Sequence, residues 1–169
     1  LVEGEVGYIG SGSEILRELP ADAAIRPEDL TRPEEAAKFV QVTGVDLFAP
    51  AVGNVHGIIA RIDADDPTRI HAENPRLDIE RIAAIKQAAG VPLVLHGGSG
   101  ITDEDFRAAI KAGISVIHIS TELRAAWRKE VEEGLRDKPG EVAPYKIMAG
   151  AEEEIKEIVK KRLELFARP

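Results

Sequence analysis

The sequence predicts an α/β protein in which four short parallel strands alternate with helices. Four apolar runs indicate the strands, at residues 1–7, 45–52, 91–96 and 114–120. The last two runs show little alternation, which is typical of strands that are buried on both faces of a parallel sheet. This order fits either one half of a (β/α)8 barrel or a small open sheet, and periodicity does not choose between the two.

Composition narrows the class of protein. The chain has 169 residues, of which 44% are hydrophobic and 31% charged, as is ordinary for a globular domain. Its formal net charge of −8 argues against nucleic acid or an anionic membrane as the main partner. It contains no cysteine, which excludes a thiolate metal site, and no signal peptide or membrane-spanning run is visible. We therefore expect a cytoplasmic location.

Helix starts are predicted between the apolar runs. Thr31 followed by Glu34, and Thr102 followed by Asp105, have the spacing of a capping box. Asp78 is expected to cap the helix between these two. These signals place one helix after each of the first three apolar runs.

Three longer segments complete the layout. A last helix is expected at about residues 145–166, where apolar side chains recur on one side. Segments 7–30 and 58–75 are predicted to be irregular, because they contain many turn-forming or polar residues. Both segments follow strands, which is where α/β proteins carry functional loops.

Three of the four histidines stand at the ends of the last three predicted strands. His56, His96 and His118 should therefore converge, because the carboxyl ends of parallel strands lie on one face of the fold. A single histidine at a strand end is usually structural, whereas three of them beside glycine turns favour a metal site. The fourth, His71, is expected to be solvent-exposed in the polar segment.

A glycine-rich turn, residues 97–100, precedes the helix that Thr102 is predicted to cap. Successive N–H groups in such a turn can bind a phosphate group. Ser120 and Thr121 stand at the next strand end, again at a helix start. The glycines alone would indicate only a tight turn, but together with this serine and threonine they favour a phosphate site.

Two carboxylates share one face of the first predicted strand. Glu3 and Glu5 are two residues apart, so their side chains point the same way. Buried carboxylates are costly unless they are paired or liganded. The sequence leaves two roles open for them, as partners of a metal site or as members of a core ion pair.

Taken together, these motifs resemble the class II fructose-bisphosphate aldolases and the related tagatose-bisphosphate aldolases. The most specific match is LVLHGGSGI at residues 93–101, and others are VEGEVG at residues 2–7, VGNVHG at residues 52–57 and ISTEL at residues 119–123. The resemblance covers most of the chain in the family's order. It implies that residues 1–169 form one partial domain, the C-terminal half (strands five to eight) of a (β/α)8 TIM barrel.

The resemblance also implies roles for particular residues. It implies that His56 and His96 bind zinc and that Glu5 serves an alternative metal position. It implies that five strand-end residues bind a substrate phosphate, namely Gly57, Gly97, Ser99, Ser120 and Thr121, and that position 118, here His118, contacts substrate. Backbone groups near Val55 and two of those glycines match a site for a monovalent cation, Na⁺ or K⁺. The implied reaction is zinc-dependent aldol cleavage of a ketose bisphosphate, in which the metal acts as a Lewis acid.

The chain departs from the family's pattern in three ways. The family's third zinc histidine and its acid–base aspartate lie on earlier strands, so this chain alone is expected to be inactive. His118 replaces an asparagine that contacts substrate, and we expect it to contact substrate and take part in catalysis, to add a metal ligand, or to indicate a changed substrate specificity. Glu14 is the candidate for the catalytic glutamate of the loop after strand five, although its spacing differs. The expected partners are the phosphorylated ketose, the missing N-terminal half barrel and further copies in a homo-oligomer.

Other interpretations stay open at this stage. Within the enzyme interpretation, fructose 1,6-bisphosphate is the expected substrate, and tagatose bisphosphate or another phosphorylated ketose is the alternative. A half barrel that binds metal or phosphate without catalysis is a second possibility. A third is an open-sheet module for phosphorylated ligands, which would require solvent-facing Glu3 and Glu5 and helices over both sheet edges.

Overall fold

The computed structural model describes residues 1–10, 12, 15–16, 26–62, 70–72 and 74–167. Its strands are β1 (Glu3–Val6), β2 (Ile15–Leu16), β3 (Leu47–Pro50), β4 (Ile58–Ile62), β5 (Ile70–Ala72), β6 (Leu93–Leu95) and β7 (Ile114–Ile117). Its helices are α1 (Pro33–Thr43), α2 (Ile79–Ala89), α3 (Asp103–Ala112), α4 (Thr121–Asp137), α5 (Pro144–Ile147) and α6 (Ala149–Ala167).

The main sheet is parallel and has the strand order β1-β3-β6-β7. All four of its strands fall within the apolar runs of the sequence, and a helix follows each of them along the chain. The spatial order is the order along the chain, without the reversal that defines a doubly wound open sheet. Consecutive strands in unbroken order are the arrangement of a barrel segment.

A second, smaller sheet with the order β2-β4-β5 corrects one expectation. Segments 7–30 and 58–75 are not irregular throughout, because β2 pairs in parallel with β4, and β4 and β5 form an antiparallel pair. Isoleucines recur in these strands, and β-branched residues favour extended structure. His71 lies in β5 opposite Arg61, and its expected exposure stays a prediction because its side chain lies outside the described part.

Two of the predicted helix caps are present. Asp78 Oδ1 accepts the backbone N–H of Arg81 at 3.0 Å, and Thr102 Oγ1 accepts that of Asp105 at 3.2 Å. The buried Asp105 carboxylate does not complete a capping box. It accepts two hydrogen bonds from the Arg76 guanidinium, at 2.8 and 2.6 Å, and so ties α3 to the segment that precedes α2.

The predicted cap at Thr31 is wrong. Helix α1 begins after Arg32, whose backbone N–H donates to the Glu35 carboxylate at 3.1 Å. The Thr31 hydroxyl instead donates to the Val6 carbonyl at 2.7 Å and accepts the Ala51 N–H at 2.8 Å. This fully buried side chain therefore links the carboxyl ends of β1 and β3.

The last expected helix is two helices, α5 and α6, with Met148 between them. The end of α5 packs closely on α4 at a glycine. A Cβ added to Gly134 would lie 2.2 Å from the Ile147 carbonyl oxygen, so a larger side chain would push α5 away. No helix in the described ranges is both long and apolar enough to cross a membrane.

The hydrophobic core lies between one face of the main sheet and the helices. Its largest fully buried side chains come from β3, β6, α2 and α3, namely Phe48, Leu93, Leu95, Ile82, Ile85 and Phe106. In β1, Val6 packs against this core while Glu3 and Glu5 point to the opposite face. The carboxylates thus lie on the face that would become the interior of a closed barrel.

Candidate metal and phosphate site

A cavity of about 290 Å³ opens at the carboxyl ends of β3, β6 and β7. Residues that follow these three strands line it: His56, Gly57, His96, Gly97, Gly98, Ser99, His118, Ser120 and Thr121. The expected convergence of the three histidines is present, since the rings of His56 and His96 lie 6.1 Å apart and those of His96 and His118 lie 4.7 Å apart.

His56 is held in a form that suits a metal ligand. Its Nδ1 lies 2.8 Å from the Gly10 carbonyl oxygen, and its backbone N–H donates to the Ile9 carbonyl at 2.8 Å. A carbonyl oxygen only accepts hydrogen bonds, so Nδ1 carries a proton, and in the neutral ring Nε2 keeps its lone pair. Ligating histidines are commonly oriented in this way by a second hydrogen bond from the other ring nitrogen.

His96 is surrounded by the two carboxylates of β1. Its Nε2 lies 2.6 Å from Glu3 Oε1, and its Nδ1 lies 3.9 Å from Glu5 Oε2. Of the two roles that the sequence left open, this geometry favours partners of a candidate metal ligand. The buried Asn54 fixes the same strand end, because its Nδ2 donates to the His96 carbonyl at 3.1 Å and its Oδ1 accepts the Val52 N–H at 2.8 Å.

The resemblance implies a metal set of His56, His96 and Glu5. Only His96 of this set also belongs to the group of ligand atoms that lie close together in the structure. Glu3, His96 and His118 place one ligand atom each within 4.8 Å of one another. This is the group of three metal-ligating side chains found within the described ranges. The implied set stays a prediction.

The start of α4 forms the other wall of the cavity. Ser120 precedes this 17-residue helix without capping it through its own side chain. The buried Ser99 hydroxyl does so instead, since it accepts the N–H groups of Ser120 at 3.4 Å and Glu122 at 3.2 Å. The positive end of the helix dipole therefore points toward the cavity, where it favours an anion.

Two glycines allow the three strand ends to pack closely. Gly97 has a φ of +62°, and a Cβ there would lie 2.2 Å from the Val55 carbonyl oxygen. A Cβ at Gly98 would lie 2.9 Å from the His118 carbonyl oxygen, which accepts the Gly98 N–H at 3.1 Å. The glycines predicted to contact phosphate thus also bring His56, His96 and His118 together.

Asn74 is a residue of this site that the sequence analysis missed. Its Nδ2 donates to the carbonyls of Gly57 and Ser99, both at 3.0 Å, and its Oδ1 accepts the Ile59 N–H at 2.9 Å. It therefore joins the loops that follow β3 and β6. The only signal in the sequence was an asparagine just before Pro75, a pair that is common in turns.

One predicted catalytic residue, Glu14, lies outside the described residues, so its placement stays a prediction. A larger cavity, of about 600 Å³, lies away from the strand ends between α3, α4 and α6. Its Arg162 already donates to both oxygens of Glu122, at 2.8 and 2.7 Å. The hydrogen bond to Glu122 raises the pKa of Arg162, so this cation fastens α6 to α4.

Comparisons with known proteins bear on this site. Residues 1–168 match the family model described as fructose-bisphosphate aldolase class-II. The YdjI aldolase from Escherichia coli K12 is 34% identical with a TM-score of 0.62, over 80% of this chain and 44% of that one. A putative fructose-1,6-biphosphate aldolase from Coccidioides immitis is 28% identical with a TM-score of 0.66, over 98% of this chain and 52% of that one.

A third solved structure shows the fold alone. The fructose-bisphosphate aldolase from Campylobacter jejuni is 19% identical with a TM-score of 0.66, over 98% of this chain and 51% of that one. The chain spans about half the length of each of these relatives. Its fold is accordingly one half of an aldolase (β/α)8 barrel, and the open-sheet alternative is wrong.

Proposed function

The chain belongs to the class II fructose-bisphosphate aldolase family, and we propose that it supplies half of an active site for zinc-dependent aldol cleavage of a ketose bisphosphate. The expected reaction splits fructose 1,6-bisphosphate into dihydroxyacetone phosphate and glyceraldehyde 3-phosphate. One observation supports this most strongly. A helix start suited to phosphate and three histidines suited to metal line the same cavity.

The phosphate end of the substrate is proposed to bind between the glycine turn and the start of α4. Backbone N–H groups and the helix dipole favour a dianion there without a lysine or arginine, which suits an acidic chain. Ser99, Ser120 and Thr121 line this part of the cavity together with Gly57 and Gly97. A monovalent cation beside the Val55 carbonyl is part of the same proposal.

The metal is proposed to bind His56 and His96, with Glu5 at an alternative position. The residues fit zinc, because the neutral ring of His56 would present Nε2 to a metal while Nδ1 holds the Gly10 carbonyl, and His96 is oriented by a carboxylate. Zinc, when bound, supplies a Lewis acid that polarises the substrate ketone. His118 lines the same cavity as His56, where its imidazole would hydrogen-bond the substrate, and Glu14 is proposed as the proton-transferring loop residue.

The other half of the active site is proposed to come from an N-terminal half barrel. The chain covers 44–52% of the solved relatives, and Glu3 and Glu5 lie on the sheet face opposite the helices. In a closed barrel the N-terminal half would cover this face, and its strands would pair with the two edge strands, β1 and β7. The missing zinc histidine and acid–base aspartate would come from that half, and the complete barrel is proposed to form a homo-oligomer.

Complementation tests this function. The chain is mixed with a separately expressed N-terminal half barrel from a solved relative, and cleavage of fructose 1,6-bisphosphate and zinc content are measured. We expect no cleavage by either half alone, and cleavage by the mixture that falls at least ~100-fold in His56→Ala and His96→Ala. His71→Ala serves as the matched control. An active mixture that keeps its rate in both site variants would contradict the proposal.

The histidine at position 118 favours a test of a second substrate. An imidazole in place of an amide changes both the size and the hydrogen-bonding pattern beside the substrate. The same mixture is therefore assayed with tagatose bisphosphate, and His118→Asn is assayed with both sugars. A change in the ratio of kcat/KM between the two sugars in His118→Asn would assign substrate selection to this position.

A further inference from the structure

Three strands of the main sheet each bring one potential metal ligand to the same point. Glu3 comes from β1, His96 follows β6 and His118 follows β7. Their ligand atoms lie within 4.8 Å of one another, and the rings of His96 and His118 are 4.7 Å apart. Two of these three residues, Glu3 and His118, are not in the metal set proposed above.

The contact between Glu3 and His96 already has the form of half a metal site. Glu3 Oε1 and His96 Nε2 are 2.6 Å apart, a short contact that requires a proton between the carboxylate oxygen and the ring nitrogen. The two atoms share one proton. A divalent cation that binds both atoms displaces this proton. A ring protonated on both nitrogens releases it to solvent, and a neutral ring moves its single proton to Nδ1, so that the carboxylate oxygen and Nε2 each offer an electron pair to the metal.

We propose that Glu3, His96 and His118 form a divalent-metal position of their own, which requires no ligand from the N-terminal half barrel. It depends on the proposed function only through His96, which the two metal positions share. Because one imidazole cannot orient toward both at once, occupation of this position would withdraw His96 from the position that contains His56.

The side chains must move by about an ångström to hold one ion. Ligand atoms of a tetrahedral zinc, at bond lengths of about 2.0–2.2 Å, lie roughly 3.3–3.6 Å from one another. The Glu3–His96 pair, at 2.6 Å, must therefore open by about 0.8 Å, and a pair at the 4.8 Å limit must close by about 1.3 Å. Glu3 and His118 are both exposed, so their side chains have room for these movements.

The ligand types select the ion. Two imidazole nitrogens and one carboxylate oxygen suit Zn²⁺ or Co²⁺, whereas Mg²⁺ and Ca²⁺ prefer oxygen ligands. Three protein ligands leave at least one coordination position for water or for an oxygen of a ligand. This is the only group of its kind within the ranges that the structure describes.

The test is a Co²⁺ titration of the 169-residue chain, followed through the visible absorption of the bound ion, with Zn²⁺ competition to obtain both affinities. We expect His118→Asn and Glu3→Gln to weaken binding at least ~10-fold and His96→Ala to abolish it. His71→Ala should bind like the unchanged chain, whereas His56→Ala removes a ligand of the other metal position and should keep this one. Far-UV circular dichroism of each variant confirms that its helix content is kept.

Two outcomes would overturn the inference. One is the absence of Co²⁺ binding by the unchanged chain, and the other is binding that falls in His56→Ala while His118→Asn keeps it. The second outcome would favour the metal position of the proposed function. Failure of the proposed function is recognised by a different measurement. In that case the complemented mixture cleaves fructose 1,6-bisphosphate at the same rate with and without His56→Ala and His96→Ala.

Discussion

The close approach of the loops after β3 and β6 makes Gly97→Ala a sharp test of the site's geometry. Alanine at a φ of +62° costs about 1–2 kcal/mol, because the left-handed region crowds a Cβ. The new Cβ would also lie 2.2 Å from the Val55 carbonyl oxygen, more than ~1 Å inside an ordinary contact. Overpacking of this kind adds about 1–3 kcal/mol. We therefore expect a total loss of about 2–5 kcal/mol.

Gly44→Ala is the matched control, because Gly44 has a φ of +68° and no atom within 4 Å of an added Cβ. Gly44→Ala is destabilised only by the backbone conformation, so the difference in free energy of unfolding between the two variants measures the clash. Urea denaturation followed by circular dichroism gives both free energies of unfolding. Because relief of the clash must shift the end of β6 that carries His96, a ligand of both proposed metal positions, Zn²⁺ affinity should fall in Gly97→Ala only. Equal stability and equal Zn²⁺ affinity in the two variants would refute this account of the strand ends.

Three further substitutions test the hydrogen bonds around the cavity. Thr31→Val should lower the free energy of unfolding by about 0.5–1.5 kcal/mol in urea denaturation, since it removes two buried hydrogen bonds and leaves the Ala51 N–H and the Val6 carbonyl only their mutual bond at 3.2 Å, whereas the exposed Thr43→Val should cost less. Ser99→Ala removes the cap of α4 and should cost about 0.5–2 kcal/mol by the same method, unlike the exposed Ser115→Ala. Asn74→Ala removes the hydrogen bonds that join the loops after β3 and β6. It should weaken inorganic phosphate binding about 10-fold in calorimetry. Site variants that match their controls would contradict these assignments.

Features that depend on near neighbours were predictable from the sequence. The four strands of the main sheet follow from apolar runs, and the caps at Asp78 and Thr102 follow from spacings of three residues. The convergence of the three histidines was also predictable, although it needed a rule about tertiary structure in addition to local spacing. It needs only the rule that parallel strands share a carboxyl end, together with the position of each histidine in its run.

Features that depend on distant partners were not predictable. Thr31 has the spacing of a cap, but its hydroxyl finds the Ala51 N–H and the Val6 carbonyl, which only tertiary packing brings near. Ser99 was expected to contact phosphate, and no local pattern indicates that it caps a helix that begins more than twenty residues later. The β4–β5 pair was concealed by the polar residues around its isoleucines.

The metal group illustrates the same limit. The sequence places Glu3 and Glu5 on one face, but it does not say which of them meets His96 or at what distance. In the fold, Glu3 makes the short contact and Glu5 the long one, at 2.6 and 3.9 Å. Side-chain direction across a curved sheet decides this difference, and residue spacing does not encode it.

The most direct test of the central claim, that metal and phosphate meet in one cavity of this half barrel, is a nuclear magnetic resonance titration. Dihydroxyacetone phosphate is added to the ¹⁵N-labelled chain with and without Zn²⁺, and backbone amide shifts are followed. We predict that the largest shifts fall on the residues lining the cavity, Gly57, Gly97, Ser99, Ser120 and Thr121, and that Zn²⁺ increases the affinity. Shifts confined to other surfaces, or binding indifferent to Zn²⁺, would contradict the account.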